Sequence, residues 1–350
     1  MGVFIDLNQT DERSDSFPGQ LQGSVMSKPI ISACLFTRNP QTDAFRKVAR
    51  ALSYQTLPLQ DWELIIIDNN SAFPVKANFE RDFSWHPNVR FVVEPSIGFQ
   101  YVHRRAILES RADWIVILAD DCFLSTEYLK SALKLIKKHP EVGVFSGLIT
   151  YQFPDEVNII KKSINEAMYT RRPFEGYFET SEKSRFTIAH SGSLGLVFHS
   201  DIGDAYIKGF WKYEEIAKYI KRNGQNVTIR VTDLDLPMYA LYLNYRIAAS
   251  DELTIDHIIE EDDLHIVSTM KLAYQMGFFL ELFYFRWNWR PYPVSFSKEL
   301  YKFLKMILKP QRNPIKWITR IINMLGQIHA MIFLLRNPEL INKIPKPGVP

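Results

Sequence analysis

Two adjacent carboxylates, Asp120 and Asp121, close the apolar run Trp114-Ile115-Val116-Ile117-Leu118-Ala119. A continuous apolar run flanked by polar segments predicts a strand buried on both faces of a parallel sheet. In open α/β sheets ligands are held beyond the carboxyl ends of the strands, where these two acids fall. Two like charges at a buried edge repel unless a cation neutralises them, and a hard divalent ion is the usual solution. The alternative is a plain Asp pair capping a helix that begins near Ser125.

Such a strand needs neighbours, and the chain supplies them. Residues 30–36, 63–67, 89–93, 114–118 and 142–148 read as strands, with helices expected over residues 45–52, 103–110 and 128–139. This alternation predicts an α/β fold with a mostly parallel sheet and helices on both faces. Thr37, Asp68, Glu94 and Asp120 stand at strand ends, where a ligand is held. Residues 150–190 break the rhythm and read as a long irregular excursion. Helical signals return over 213–223 and 236–243, strand signals over 227–231, 245–249 and 253–255, and an aromatic helical region follows residue 259.

Composition narrows the class. Hydrophobic residues at 46% and charged ones at 23% are those of an ordinary soluble globular chain. Both cysteines, Cys34 and Cys122, fall in strand-like runs. Buried reduced thiols are therefore expected, and with them a cytoplasmic compartment. The opening 28 residues have no apolar core and read as a disordered leader, not a signal peptide. The net charge of +3 is uneven: residues 298–350 carry ten Lys/Arg against two Glu, or +8, which leaves −5 for the rest. No basic, aromatic-interleaved strand points to nucleic acid, which is excluded as a partner.

Taken in order, several segments resemble the family 2 glycosyltransferases, enzymes of the GT-A fold (Rossmann-like, nucleotide-diphospho-sugar transferases). They are Ser32-Ala33-Cys34-Leu35-Phe36-Thr37-Arg38-Asn39, Leu64-Ile65-Ile66-Ile67-Asp68-Asn69-Asn70-Ser71 and Glu94-Pro95-Ser96-Ile97-Gly98, followed by residues 114–121. Thr232-Asp233-Leu234-Asp235-Leu236 and Tyr245-Arg246-Ile247, with His257 twelve residues beyond Tyr245, complete the set. The resemblance implies a metal-dependent, inverting enzyme of the hexosyltransferase type. Its donor is a nucleotide sugar, UDP-linked, and its acceptor a glycan or lipid-linked chain in polysaccharide or glycoconjugate synthesis.

Residue by residue, the resemblance assigns Thr37, Asp68 and Asp120 to the nucleotide. It assigns Asp121 and His257 to Mn2+ or Mg2+, imidazole with carboxylate suiting Mn2+. Asp233 is the base that takes the acceptor proton. Asp235 is its runner-up in the acceptor pocket, or a structural residue of the next helix. Gly192, Ser193 and Trp211 line the sugar or acceptor pocket, with Trp211 stacking on a sugar or packing. Arg104, in Val102-His103-Arg104-Arg105, is a phosphate contact or part of a solvated helix face. For Asp68 a turn beside Asn69-Asn70 is the plainer alternative, and His257 on a strand can be a packed residue. Ala119 and Thr232 stand where the family commonly has an acid, and they favour the second function class, a catalytically silent nucleotide- or glycan-binding module.

The implied organisation is a catalytic domain over residues 29–258, with a nucleotide-binding part over 29–122 and an acceptor part over 123–258. A basic helical extension covers 259–350. In that extension Ile318, Ile321, Ile322, Leu325, Ile328, Ile332 and Leu335 recur at helical spacing, interrupted by Asn323, Gln327 and His329. The interruptions argue against a spanning helix and for an amphipathic one, peripheral on an anionic membrane at its inner face. The alternative is docking on the catalytic domain or on a second subunit in a homodimer.

Overall fold

The computed structural model describes residues 28–154, 158–168, 174–190, 194–209, 234–259, 261–289 and 296–339. The leader over residues 1–27, the expected helix 213–223 and strand 227–231, and Gly192, Ser193, Trp211 and Asp233 lie outside them.

The first half follows the alternation. Strand β1 (Ile31–Thr37) leads to α1 (Thr42–Ser53), β2 (Trp62–Asp68), the short α2 (Val75–Phe79), β3 (Val89–Val93), α3 (Phe99–Glu109) and β4 (Trp114–Ala119). β1 and β2 are buried along their whole length, as strands covered by helices on both faces must be. Each fully buried Ile, Leu or Val there contributes roughly 1.5–3 kcal/mol. The helix α3 begins at Phe99, ahead of the expected residue 103, because Gly98 caps it at φ 141°, a conformation that L side chains rarely adopt.

The second half is woven differently. β5 (Cys122–Leu124), α4 (Tyr128–Lys138), β6 (Val142–Gln152), α5 (Ile159–Met168), β7 (Tyr177–Thr180), β8 (Leu196–His199), α6 (Ser200–Lys208), α7 (Asp235–Tyr242) and β9 (Arg246–Ile258) follow in order. The nine described strands form one sheet in the order β3-β2-β1-β4-β8-β6-β9-β5, with β7 also on β9. β1–β2, β2–β3, β1–β4 and β6–β9 run parallel, whereas β4–β8, β6–β8, β5–β9 and β7–β9 run antiparallel. The parallel character is thus concentrated in the first four strands. The two short strands expected over 245–255 are one bulged strand, β9, whose outer edge holds β7 at residues 247–250 and β5 at 255–257. The excursion over 150–190 contains α5 and β7; α5 buries only Ile164, which left little apolar periodicity to read.

Three further helices close the described chain: α8 (Ile266–Arg286), α9 (Phe296–Ile307) and α10 (Pro314–Arg336). The main core does not stop at residue 258, since Phe283 and Trp287 belong to the same cluster as Ile31. α10 docks along α8 through two glycines. A Cβ on Gly277 would lie 1.8 Å from the Asn323 carbonyl oxygen, and one on Gly326 would lie 2.2 Å from that of Tyr274. Among the described residues α10 is the one helix long and apolar enough to cross a membrane.

Candidate active site

In the strand register Thr37 is the partner of Asp68 and Phe36 the partner of Ala119. Thr37, Asp68 and Asp120 therefore emerge at one edge of the sheet. A cleft of about 250 Å³ opens there, lined by Phe36, Thr37, Arg38, Asn69, Ile97, Gly98, Phe99, Val102, Ala119, Asp120 and Asp121. Thr37 is buried, and its hydroxyl donates a short hydrogen bond to Asp120 Oδ2. Burial pushes the Asp120 carboxyl up to about 6; the Thr37 hydrogen bond opposes this and the Asp121 charge adds to it.

Asp121 is held from the far end of the sheet. The antiparallel pairing of β5 with β9 sets Cys122 opposite His257, and Ile258 N–H donates to the Asp121 carbonyl at 3.0 Å. His257 Nε2 then lies 3.1 Å from Asp121 Oδ2, and the Cys122 thiol donates to Asp121 Oδ1 at 3.2 Å. Burial alone would raise the Asp121 carboxyl, but the hydrogen bond and charge of His257, with the Cys122 donation, hold it below its usual value. Burial and the neighbouring Asp121 charge push the Cys122 thiol well above its ordinary range.

The donors fit a hard divalent cation. One ligand atom from each of Asp121, Cys122 and His257 falls within 4.8 Å of the others. The 3.1 Å between carboxylate and imidazole is close to the edge of an octahedron with bonds of about 2.1 Å. Cys122, kept as a thiol, serves better as a donor to Asp121 than as a ligand. His257 Nδ1 is buried with no hydrogen-bond partner among the described residues.

The remaining expected residues distribute unevenly. Asp68 is buried and spends its carboxylate on backbone: Oδ1 accepts from Ser71 N–H at 2.8 Å and Oδ2 from Val75 N–H at 3.0 Å. This is the turn role, and Asn69 lines the cleft in its place. Asn69 Nδ2 donates to the Ser96 carbonyl at 2.7 Å, and its Oδ1 accepts from Gly98 N–H at 2.9 Å, which fixes the cleft wall. Arg104 is half-buried on α3 and is not part of the cleft lining. Its neighbour Arg105 is paired with Glu94 at 3.1 Å and Glu109 at 3.3 Å. His103 is buried among Phe36 and Phe99 with neither ring nitrogen partnered among the described residues, and burial pushes it down to about 4, so it is neutral at pH 7.

Asp235, read as an acceptor-pocket residue or a structural residue of the next helix, has the surroundings of the second and not of the first. It is buried, accepting from Arg286 Nη1 and from Trp287 Nε1, both at 2.8 Å. Arg286 Nη2 also donates to the Gly209 carbonyl at 2.8 Å and to the Tyr239 hydroxyl at 2.7 Å. A carboxylate whose oxygens are both committed to buried donors anchors α6, α7 and α8 to one another; it is not open to an acceptor. Cys122, Asn69 and Arg286 escaped the sequence reading. An arginine inside an aromatic helix was the available signal for Arg286, because a buried guanidinium needs an acid.

Residues 34–196 match the family model described as "Glycosyl transferase family 2". The match covers a little under half of the chain. No curated protein matches the chain. Similar solved structures include TarS of S. aureus, at 14% identity and TM-score 0.47 over 86% of this chain and 55% of that one. The present chain thus spans about half of that TarS chain. TarS 1–349 in complex with UDP-GlcNAc is 13% identical, with a TM-score of 0.47 over 88% of this chain and 92% of that one. The mannosyltransferase PcManGT from Pyrobaculum calidifontis, in complex with GDP-Man and Mn2+, is 13% identical. Its TM-score is 0.49 over 90% of this chain and 74% of that one.

Proposed function

We propose that the chain is an inverting, metal-dependent glycosyltransferase that moves a hexose from a UDP-linked donor to a glycan or lipid-linked acceptor, in the cytoplasm at the inner face of the membrane. The observation that carries this reading is the Asp121–His257 pair, 3.1 Å apart at the edge of a cleft that also presents Thr37 and Asp120. Asp121 and His257 would hold Mn2+ or Mg2+, which when bound supplies positive charge to the donor diphosphate as it leaves. Asp120 accepts from Thr37 and is positioned to accept from a ribose hydroxyl. Asn69 and Gly98 shape the wall against which the base rests. Asp233 takes the proton of the attacking acceptor hydroxyl, so that one displacement at the anomeric carbon inverts its configuration.

Calorimetry of UDP with Mn2+ tests the reading. The parent binds and Asp121→Ala loses the metal-dependent part; equal affinity for both sinks the metal assignment. Asp233→Asn keeps UDP binding and transfers sugar about 10²–10⁴-fold more slowly, the usual contribution of a general base. Turnover within threefold of the parent moves that role elsewhere.

A further inference from the structure

The charge excess of the tail has a defined face. Along α9, Glu299 is buried, and the outward side carries Leu300, Tyr301 and Leu304, with Leu308 just beyond the helix, at 40%, 66%, 49% and 79% exposure. Their spacing of i, i+1, i+4 and i+8 sets them on one face. Lys298, Lys302, Lys305 and Lys309 are exposed alongside, and Arg312, Lys316 and Arg320 continue the basic run into α10. Glu299 is the one acid over residues 297–338, and it is paired with Lys302 at 2.6 Å. Trp317 Nε1 donates to the Met306 carbonyl at 3.1 Å, which ties α9 to α10.

We infer that α9 lies in the interface of an anionic lipid surface, with Leu300, Tyr301, Leu304 and Leu308 among the acyl chains and the lysines at the headgroups. The sequence pattern points to residues 318–335 for this role. The fold gives much of that segment to α8 and leaves, among the described residues, an exposed apolar face on α9. Charge decides between occupants. A second copy of the same face would set seven exposed cations against seven more, whereas phosphate headgroups neutralise them and release counterions. A polar polymer would satisfy the lysines and leave the leucine row in water. Amphipathic helices with a basic flank seat their apolar side about 5–10 Å deep in such an interface. The inference rests on the proposed membrane-side acceptor but is tested apart from it.

Flotation of the full chain with phosphatidylcholine vesicles, with and without phosphatidylglycerol, decides the matter. Binding is expected to the anionic vesicles alone and is expected to weaken as salt rises, since screening acts over about 8 Å at physiological ionic strength. The triple change Lys298→Gln, Lys305→Gln, Lys309→Gln should weaken binding about 10²-fold, each lysine near an anionic surface contributing about fivefold. Leu300→Ser, Leu304→Ser, Leu308→Ser should weaken it at least about tenfold, from the loss of buried apolar area. All six positions are exposed, so both variants should keep the parent's thermal unfolding and its Mn2+-dependent UDP binding. Equal binding to neutral vesicles, no binding at low salt, variants that bind like the parent, or a dimer that the serine variant dissolves would each overturn the inference. Failure of UDP binding with vesicle binding intact would instead count against the enzymatic reading.

Discussion

Asp121 and Asp235 are both carboxylates held by a nitrogen partner, at 3.1 Å from His257 and 2.8 Å from Arg286. Their surroundings differ. The Asp121 and His257 side chains are 45% and 14% exposed, those of Asp235 and Arg286 only 4% and 2%. In the first pair Asp121 lines the cleft and keeps room for a ligand. The second is sealed by Trp287, Tyr239 and the Gly209 carbonyl, and its guanidinium stays charged at every accessible pH. Local chemistry alone does not separate a site from a strut; solvent access does.

The comparison breaks most readily at the buried pair. Arg286→Ala leaves the Asp235 carboxylate uncompensated in the interior, and about 3–5 kcal/mol of stability should be lost in urea unfolding. A loss below about 1 kcal/mol would mean that water reaches Asp235 and that the two pairs are alike. Asp121→Asn, by contrast, should change stability by no more than about 1 kcal/mol, as for other accessible pairs, while removing Mn2+-dependent UDP affinity. A large stability loss there would make Asp121 a strut as well.

The smallest effect concerns pH. His86, His103 and His190 are each pushed by burial from 6.5 to about 4. Between those values the unfolded chain binds more protons than the folded one, so stability is complete above pH 6.5 and falls as the pH drops toward 4. His103→Leu removes one of the three and should make urea midpoints at pH 5 and pH 7 differ less than in the parent. An unchanged difference would assign the pH response to other groups.

Legibility in the sequence followed range. The runs ending at Thr37, Asp68 and Ala119 were readable because strands covered on both faces are apolar throughout, and each was located to within a residue or two. The Asp121–His257 pairing was expected from the order of segments. Its physical cause, the three-residue strand β5 lying antiparallel to β9, was not readable, since three residues show no period. The same register brings in Cys122, which as sequence is one more apolar residue. For Asp235 the structural alternative was open from the sequence, but its partner was not readable, because Arg286 lies 51 residues away on a helix whose aromatic run hides the arginine. For Asp68 the turn was weighed from Asn69-Asn70, and the backbone donors Ser71 and Val75 decide for it.

The two glycines between α8 and α10 have a mechanical meaning. They act as notches, with backbone lying against backbone at Gly277 and at Gly326. Sliding α10 by one turn would bring Ile322 or Ala330 against Tyr274, where not even a methyl group fits. The pair can neither creep nor ratchet. A pull or tilt applied to α10 is therefore passed to α8, whose last residue, Arg286, is tied to Asp235 and Tyr239 on α7 and to the Gly209 carbonyl after α6.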